Sequence, residues 1–442
     1  MPGALYSYKN CSITIDENSK VTFSDNEARL GGAVHSRSYS EISFDGNTSV
    51  TYKLNKADGS GGAIYSHERC TIMFHENSTV KFIGNHATNG GTVYSTTYSD
   101  VLFNGNSTVI FSKNGAVRLG GAVCSSSYSE ISFGGSTVVT YKINKASVSG
   151  GAIYSQERCI IMFHDNSTVK FIDNDATNGG AVYSTKFSGI SLDNNSKVTF
   201  NKNRGKYGGA VYSKRDSDVS FNGNKSVTYD INKANISGAA IYSLEKCIIM
   251  FHDNSTVTFS NNGARYGGEV YSTTYSDLSF NGNSKATFSE NGALYGGAVY
   301  SISYSEISFD GNTLVTYKIN AARVTGGAMY SQEKGVIMFH DNSTVTYIDN
   351  HATNGGAVFS TAYSVISFDG NSKATFSGNE AGLHGGAAYI HQTSNITFVG
   401  NSSVTYVNYI AVMGGAMYCE HSWLLFECNA KVDFRGERWW GC

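Results

Sequence analysis

Apolar and polar residues alternate along this chain in three short runs that return every 29 or 30 residues. In "SEISF", Ile42 and Phe44 share one side while Glu41 and Ser43 share the other. In "VTF", Val21 and Phe23 point one way and Thr22 the other. A period of two is strand behaviour, because successive side chains leave opposite faces of an extended backbone. Aligned on the residue before Ser in "GGAxYS", the chain gives fifteen copies, from Tyr6 to Tyr418. Nine residues on comes an apolar residue, as in Phe44, Phe74, Phe103, Phe133 and Phe163; only the last copy steps eight, to Phe426. Eight residues further comes a second aromatic, as in Tyr52, Phe82, Phe111, Tyr141 and Phe171. The remaining 12 or 13 residues absorb nearly all the variation in length.

One such copy cannot bury its apolar side alone, whereas stacked copies can. The pattern therefore predicts an all-β fold, a right-handed parallel β-helix of about 15 rungs with three short strands each. It spans residues 1–442 as a single repeat domain. Rungs in such a stack lie ~4.8 Å apart, so the whole would extend roughly 70 Å. The Val position of "GGAVYS" is apolar throughout (Leu5, Val34, Ile64, Val93) and is expected inside. Alternation then places the Ala and Tyr columns outside, and Thr92 and Glu269 in the Ala column agree with that placement.

Asn follows each first aromatic by three residues, at Asn47, Asn77, Asn106, Asn166, Asn224, Asn254, Asn283, Asn342 and Asn371. It also follows the second, as at Asn85 and Asn174. Asn tolerates left-handed backbone and can stack its amide along a column, so these positions are expected to be structural. Both ends break within a repeat, since "MPGALYS" fits the motif with Pro2 for its first glycine and "RWWGC" stands where another would begin. A longer native protein is expected. A longer period overlies the rungs: Cys70, Cys159, Cys247 and Gly335 recur every 88 or 89 residues, as does "VTYKxNKA" around Tyr52, Tyr141, Tyr229 and Tyr317. Duplication of a three-rung block accounts for it.

Composition changes this picture little. The 49 Gly and the many Asn and Ser are interleaved with 29 Tyr and 24 Phe at fixed positions, so they read as turns rather than disorder. A single proline fits a chain whose backbone N–H groups serve ladders. The net charge of −2, with both signs scattered, gives no indication of a nucleic-acid or anionic-membrane partner. No run of ~18 apolar residues predicts a direct membrane span, and no signal peptide is visible.

The signatures GGA[ILV] and FxxN stand paired in nearly every rung, for example Gly61-Gly62-Ala63-Ile64 with Phe74-His75-Glu76-Asn77. Gly179-Gly180-Ala181-Val182 with Phe200-Asn201-Lys202-Asn203 is another. This pairing resembles the repeat of the chlamydial polymorphic outer membrane proteins, and the resemblance covers essentially the whole chain. It implies a β-helical autotransporter passenger of the pectin-lyase fold class, acting as an adhesin at the cell surface, in the outer membrane if the source is bacterial. The family's signal sequence and C-terminal β-barrel are not visible here. The near-identical copies also fit a related repeat on a eukaryotic surface or secreted protein, as do the sequons at Asn77, Asn166, Asn254 and Asn342. Those sequons arise equally from the Asn-Ser-Thr turn.

Candidate chemistry is sparse. Cys70, Cys159 and Cys247 recur three rungs apart, about 14 Å, which exceeds disulfide reach and predicts buried thiols. Cys419, Cys428 and Cys442 could belong to a disulfide-bearing segment. The pairs His75-Glu76, His164-Asp165, His252-Asp253 and His340-Asp341 could suggest acid–base work, but tandem copies read as turns. Turns such as Asp45–Asn47, Asp310–Asn312 and Asn222–Asn224 lack the calcium β-roll pattern, so no metal, cofactor or catalytic residue is expected. The outward Tyr column is the candidate binding surface: Tyr65, Tyr94, Tyr154, Tyr183, Tyr212, Tyr242, Tyr271, Tyr300 and Tyr330. Stacked aromatics also stabilise a sheet unaided. A second outward set, Tyr39, Tyr98, Tyr128, Tyr275, Tyr304 and Tyr363, lies four residues later. A Thr column (Thr22, Thr51, Thr140, Thr199) raises ice binding, but Lys81 and Lys170 interrupt it. The expected function is non-enzymatic adhesion or scaffolding, with a cell-surface protein or glycan as partner. A pectate-lyase-like enzyme is the alternative, and an ice-binding solenoid a lesser one.

Overall fold

The computed structural model describes residues 3–193, 196–223, 226–427 and 429–436. Pro2, Asn224, Cys428 and the closing "RWWGC" with Cys442 lie outside them. The chain divides into two compact units, Met1–Ser226 and Val227–Cys442.

Each unit is a parallel β-solenoid. In the first, one sheet runs from Leu5–Tyr8 to Val211–Lys214, a second from Ser12–Ile15 to Asp218–Asn222, and a third from Lys20–Ser24 to Lys197–Asn201. In the second unit the equivalent sheets run from Ile241–Leu244 to Met417–Glu420, Ile248–His252 to Trp423–Phe426, and Ser226–Asp230, which begins at the unit boundary, to Lys431–Arg435. Three strands per rung agree with the alternation in the sequence. The variable stretch adds short fourth strands, such as His86–Asn89 and Gly115–Leu119, or Ala321–Thr325 and His351–Asn354. Among the described residues no helix is long and apolar enough to cross a membrane.

Strands pair in register, so each residue meets its equivalent one repeat away: Phe74 pairs with Phe44 on one side and Phe103 on the other. Their rings stack with centroids 4.7 Å apart and planes within 4°. The two inner aromatic columns meet edge to face, as Phe103 and Phe111 do at 6.4 Å and 82°. Such ring pairs add about 0.5–1.5 kcal/mol each beyond area burial.

A polar column runs beside these rings. The Asn55 side-chain amide donates to Asn85 Oδ1 at 3.0 Å and to the Phe23 carbonyl at 3.0 Å. Asn85, Asn114 and Asn144 repeat the step to Asn114, Asn144 and Asn174 at 3.0–3.1 Å. Each Oδ1 also accepts the backbone N–H one rung earlier, as Asn85 does from Asn55 at 3.0 Å. Buried amides satisfied in this way cost little and fix register. This ladder belongs to the Asn after the second aromatic. The Asn after the first aromatic are exposed turn residues: Asn47, Asn77, Asn166, Asn254, Asn283 and Asn342 take positive φ, while Gly105 and Gly370 do so before Asn106 and Asn371. On that surface column Asn371 donates to Asn342 at 3.1 Å.

The outward placement of the Ala column is corrected. Ala33, Ala63, Ala122, Thr92 and Glu269 are all 0% exposed. The strand begins at the Val that follows, and Gly-Gly-Ala before it is a bend, so alternation does not extend back through it. Gly61 there has φ +68°, and a Cβ on Gly62 would sit 2.1 Å from the Gly91 carbonyl oxygen. Adjacent rungs close on each other at this corner and bury the Ala.

Candidate binding surfaces

The Tyr column lies outside the coil's inner rings but is not an open stripe. Tyr154, Tyr212, Tyr242, Tyr300 and Tyr330 are buried, and Tyr65, Tyr94, Tyr183 and Tyr271 are half-buried. The expectation of an exposed aromatic surface here is therefore corrected. The rings cover one another along the column, as Tyr65 does Tyr94 at 5.5 Å and Tyr300 does Tyr330 at 4.6 Å. In the second unit Tyr266 and Tyr295, from the variable stretch, lie over Tyr300 and Tyr330 at 6.1 and 6.2 Å. Tyr154 and Tyr330 donate to Gln156 and Gln332 at 2.8 and 2.9 Å. Burial pushes the Tyr94 phenol up to about 12.

The second aromatic set is the open one. Tyr39, Tyr98, Tyr275 and Tyr363 are 50–62% exposed. Each sits at positive φ in the tight turn between the first two sheets. The same column carries Arg69, Arg158, Phe187 and Lys334. Arg69 lies between Tyr39 and Tyr98, its guanidinium 5.6 Å from each ring, and donates to the Tyr39 hydroxyl at 3.2 Å. Arg158 spans Tyr128 and Phe187 at 5.4 and 5.9 Å. These cation–π sandwiches occupy the ring faces. What the column offers a partner is ring edges, hydroxyls and cations.

The third sheet carries a charge pattern that net charge conceals. In the first unit its outward positions hold Lys20, Lys53, Lys81, Lys142, Lys170 and Lys197 and no carboxylate. All six are exposed, and none forms an ion pair among the described residues. Lys81 and Lys170 are conspicuous in the sequence only as gaps in the Thr column; the other four show once all three outward ranks are read together.

The His-acid turns do not share one geometry. His75 reaches Asp45 at 3.5 Å rather than Glu76, and His340 reaches Asp369 at 3.9 Å. Only His164 closes on its neighbour, with Nδ1 2.7 Å from Asp165 and Nε2 3.0 Å from Ser132 Oγ. That is a nucleophile–base–orienter spacing. It stands on an outward sheet face, and the nearby Gly134 and His164 N–H groups are committed to the Phe103 and Phe133 carbonyls, not to an oxyanion. An open recess of about 590 Å³ in the second unit is lined by Ala264, Gly292, Ala293, Ala321, Ala322, Arg323 and His351, without a carboxylate. Cys70, Cys159 and Cys247 are buried thiols, whereas Cys11 and Cys419 are exposed.

The Chlamydia polymorphic membrane protein repeat matches residues 41–67 and 197–214. Two stretches of the chain are thus similar to that family's repeat. The first matched segment covers Glu41–Phe44 of the second sheet, Ser49–Lys53 of the third and Ile64–His67 of the first, and the second covers Lys197–Asn201 of the third and Val211–Lys214 of the first. No curated protein and no solved structure matches the chain.

Proposed function

We propose that the chain is a non-enzymatic, surface-exposed passenger that binds a cell-surface protein or glycan through its outward columns. The observation that carries this reading is the family's repeat in rungs of nearly constant length, stacked in register without the unequal loops a catalytic cleft needs. Such a solenoid presents the same columns many times, and weak contacts repeated along one ligand gain by multivalency. The exposed Tyr39–Arg69–Tyr98 and Tyr275–Tyr304 columns suit that role better than the covered Tyr column.

The test is adherence of beads coated with the folded chain to cultured epithelial cells, against beads coated with heat-unfolded chain. Folded-chain adherence is expected to be several-fold higher. Equal adherence overturns the proposal. So does steady turnover of an activated ester or a polysaccharide, above all if Ser132→Ala abolishes it.

A further inference from the structure

The six lysines of the first unit's third sheet are not scattered over it. Register pairs Lys142 with Ile172 and Thr168 with Lys197, so Lys142, Lys170 and Lys197 step across three adjacent strands on a diagonal. Lys53 and Lys81 begin a parallel diagonal three rungs earlier, completed by Thr108. One step is one strand spacing by two residues, roughly 8 Å, and the diagonals are about 14 Å apart along the stack. Thr51, Thr140 and Thr199 stand between the lysines as hydroxyl donors and acceptors. The corresponding diagonals of the second unit read Asp230–Thr258–Lys285 and Lys318–Thr346–Lys373. The three-lysine diagonal is thus a feature of the first unit, not of the repeat.

We infer that this face binds a linear acidic polysaccharide, laid along the Lys142–Lys170–Lys197 diagonal. This rests on the reading of the chain as a binder of cell-surface partners and names the class of glycan. A parallel sheet with unpaired ammonium groups at regular steps complements an extended polymer with regularly spaced anions. Lysine supplies compact point charges rather than the bidentate fork that reads bases and phosphates. The face carries no aromatic residue on which nucleic-acid bases could stack, and none to anchor a membrane interface.

The probe is a size-defined heparin fragment titrated against the full chain at fixed ionic strength. Lys142→Gln/Lys170→Gln/Lys197→Gln is expected to weaken binding roughly tenfold to a hundredfold. The three Lys→Arg changes retain it, as does Lys56→Gln/Lys145→Gln/Lys206→Gln, which removes equal charge from exposed positions on the fourth strands. Circular dichroism checks the fold of each variant. Equal loss in both Gln triples, no binding of heparin by the parent chain, or equally tight binding of duplex DNA or phosphatidylserine vesicles overturns the inference. Bead adherence separates the two claims: beads that adhere without heparin binding sink only this one, and beads that fail to adhere sink the adhesin reading itself.

Discussion

The Asn262 side-chain amide donates to Glu269 Oε1 at 2.9 Å and to the Tyr229 carbonyl at 2.9 Å, so the amide ladder turns aside at this rung to meet a carboxyl. Glu269 stands where other rungs have Ala; it is 0% exposed, and its Oε2 has no hydrogen-bond partner. Burial holds its carboxyl well above the ordinary value of 4.5, the Asn262 bond opposing and Asp230 adding.

A carboxyl whose folded pKa is raised stabilises the fold fully below its unfolded pKa, and that contribution is lost as pH rises through the folded pKa. Wild-type stability should therefore decline from about pH 4.5 upward. Glu269→Gln keeps the Asn262 bond and removes the titration; Glu269→Ala restores the repeat's usual residue. Both should be more stable at pH 7, by about 1–3 kcal/mol, with a flatter pH profile. Urea melts from pH 4 to pH 8 decide this, and parallel wild-type and Glu269→Gln profiles would refute it.

Three buried phenols are a second anomaly. Tyr52, Tyr141 and Tyr317 are 0% exposed, with hydroxyls that find no partner, in a column where other rungs have Phe82, Phe111 and Phe171. The hydroxyl is desolvated without return, so Tyr141→Phe should stabilise by about 1–3 kcal/mol. Tyr347, whose hydroxyl donates to Met329 Sδ at 2.9 Å, should gain less from the same change. Urea midpoints of the two variants check the contrast, and an unchanged midpoint for Tyr141→Phe counts against it.

The rungs, strand register and inner columns were legible because burial imposes a period of two on an extended backbone, and Ile42 and Phe44 obey it. The Ala column is inside because Gly61 and Gly62 bend the chain, and alternation holds only along a strand; the Tyr column does face outward, and what alternation could not show is that its rings cover one another and, in the second unit, lie under Tyr266 and Tyr295. The FxxN pattern pointed to both Asn columns, but nothing local distinguishes exposed Asn77 from buried Asn85. That difference arises from what the neighbouring rung supplies. The Lys142–Lys170–Lys197 diagonal crosses three rungs, so it is visible only once register fixes which residues are adjacent.

The thiols should fall into two classes. Cys70, Cys124, Cys159 and Cys247 are buried, and Cys70 Sγ donates to the His67 carbonyl at 3.0 Å. Burial pushes the Cys159 thiol up, which starves it of reactive thiolate. Maleimide labelling read by peptide mass spectrometry should modify Cys11 and Cys419 within minutes, and the buried four only after denaturant. Rapid native labelling at Cys159 would show that the first unit opens there.

The two Asn columns give the sharpest contrast. Asn144 donates to the Phe111 carbonyl at 3.1 Å and to Asn174 Oδ1 at 3.0 Å, and its Oδ1 accepts from the Asn114 backbone and side chain at 3.1 and 3.0 Å. Asn144→Ala therefore orphans groups on both neighbouring rungs in a site closed to water, and should cost about 3 kcal/mol or more. Asn144→Asp should do no better, because a carboxylate cannot donate to the Phe111 carbonyl or to Asn174 Oδ1. Asn106 is an exposed turn residue whose glycine neighbour takes the strained φ, so Asn106→Ala should stay within about 0.5 kcal/mol. Because a solenoid can fray rung by rung, the urea midpoint should be paired with amide exchange at Phe111, Asn114 and Asn144. Protection lost there in Asn144→Ala but kept in Asn106→Ala is the expected result, and equal effects of the two changes would show that the ladder does not hold the rungs in register.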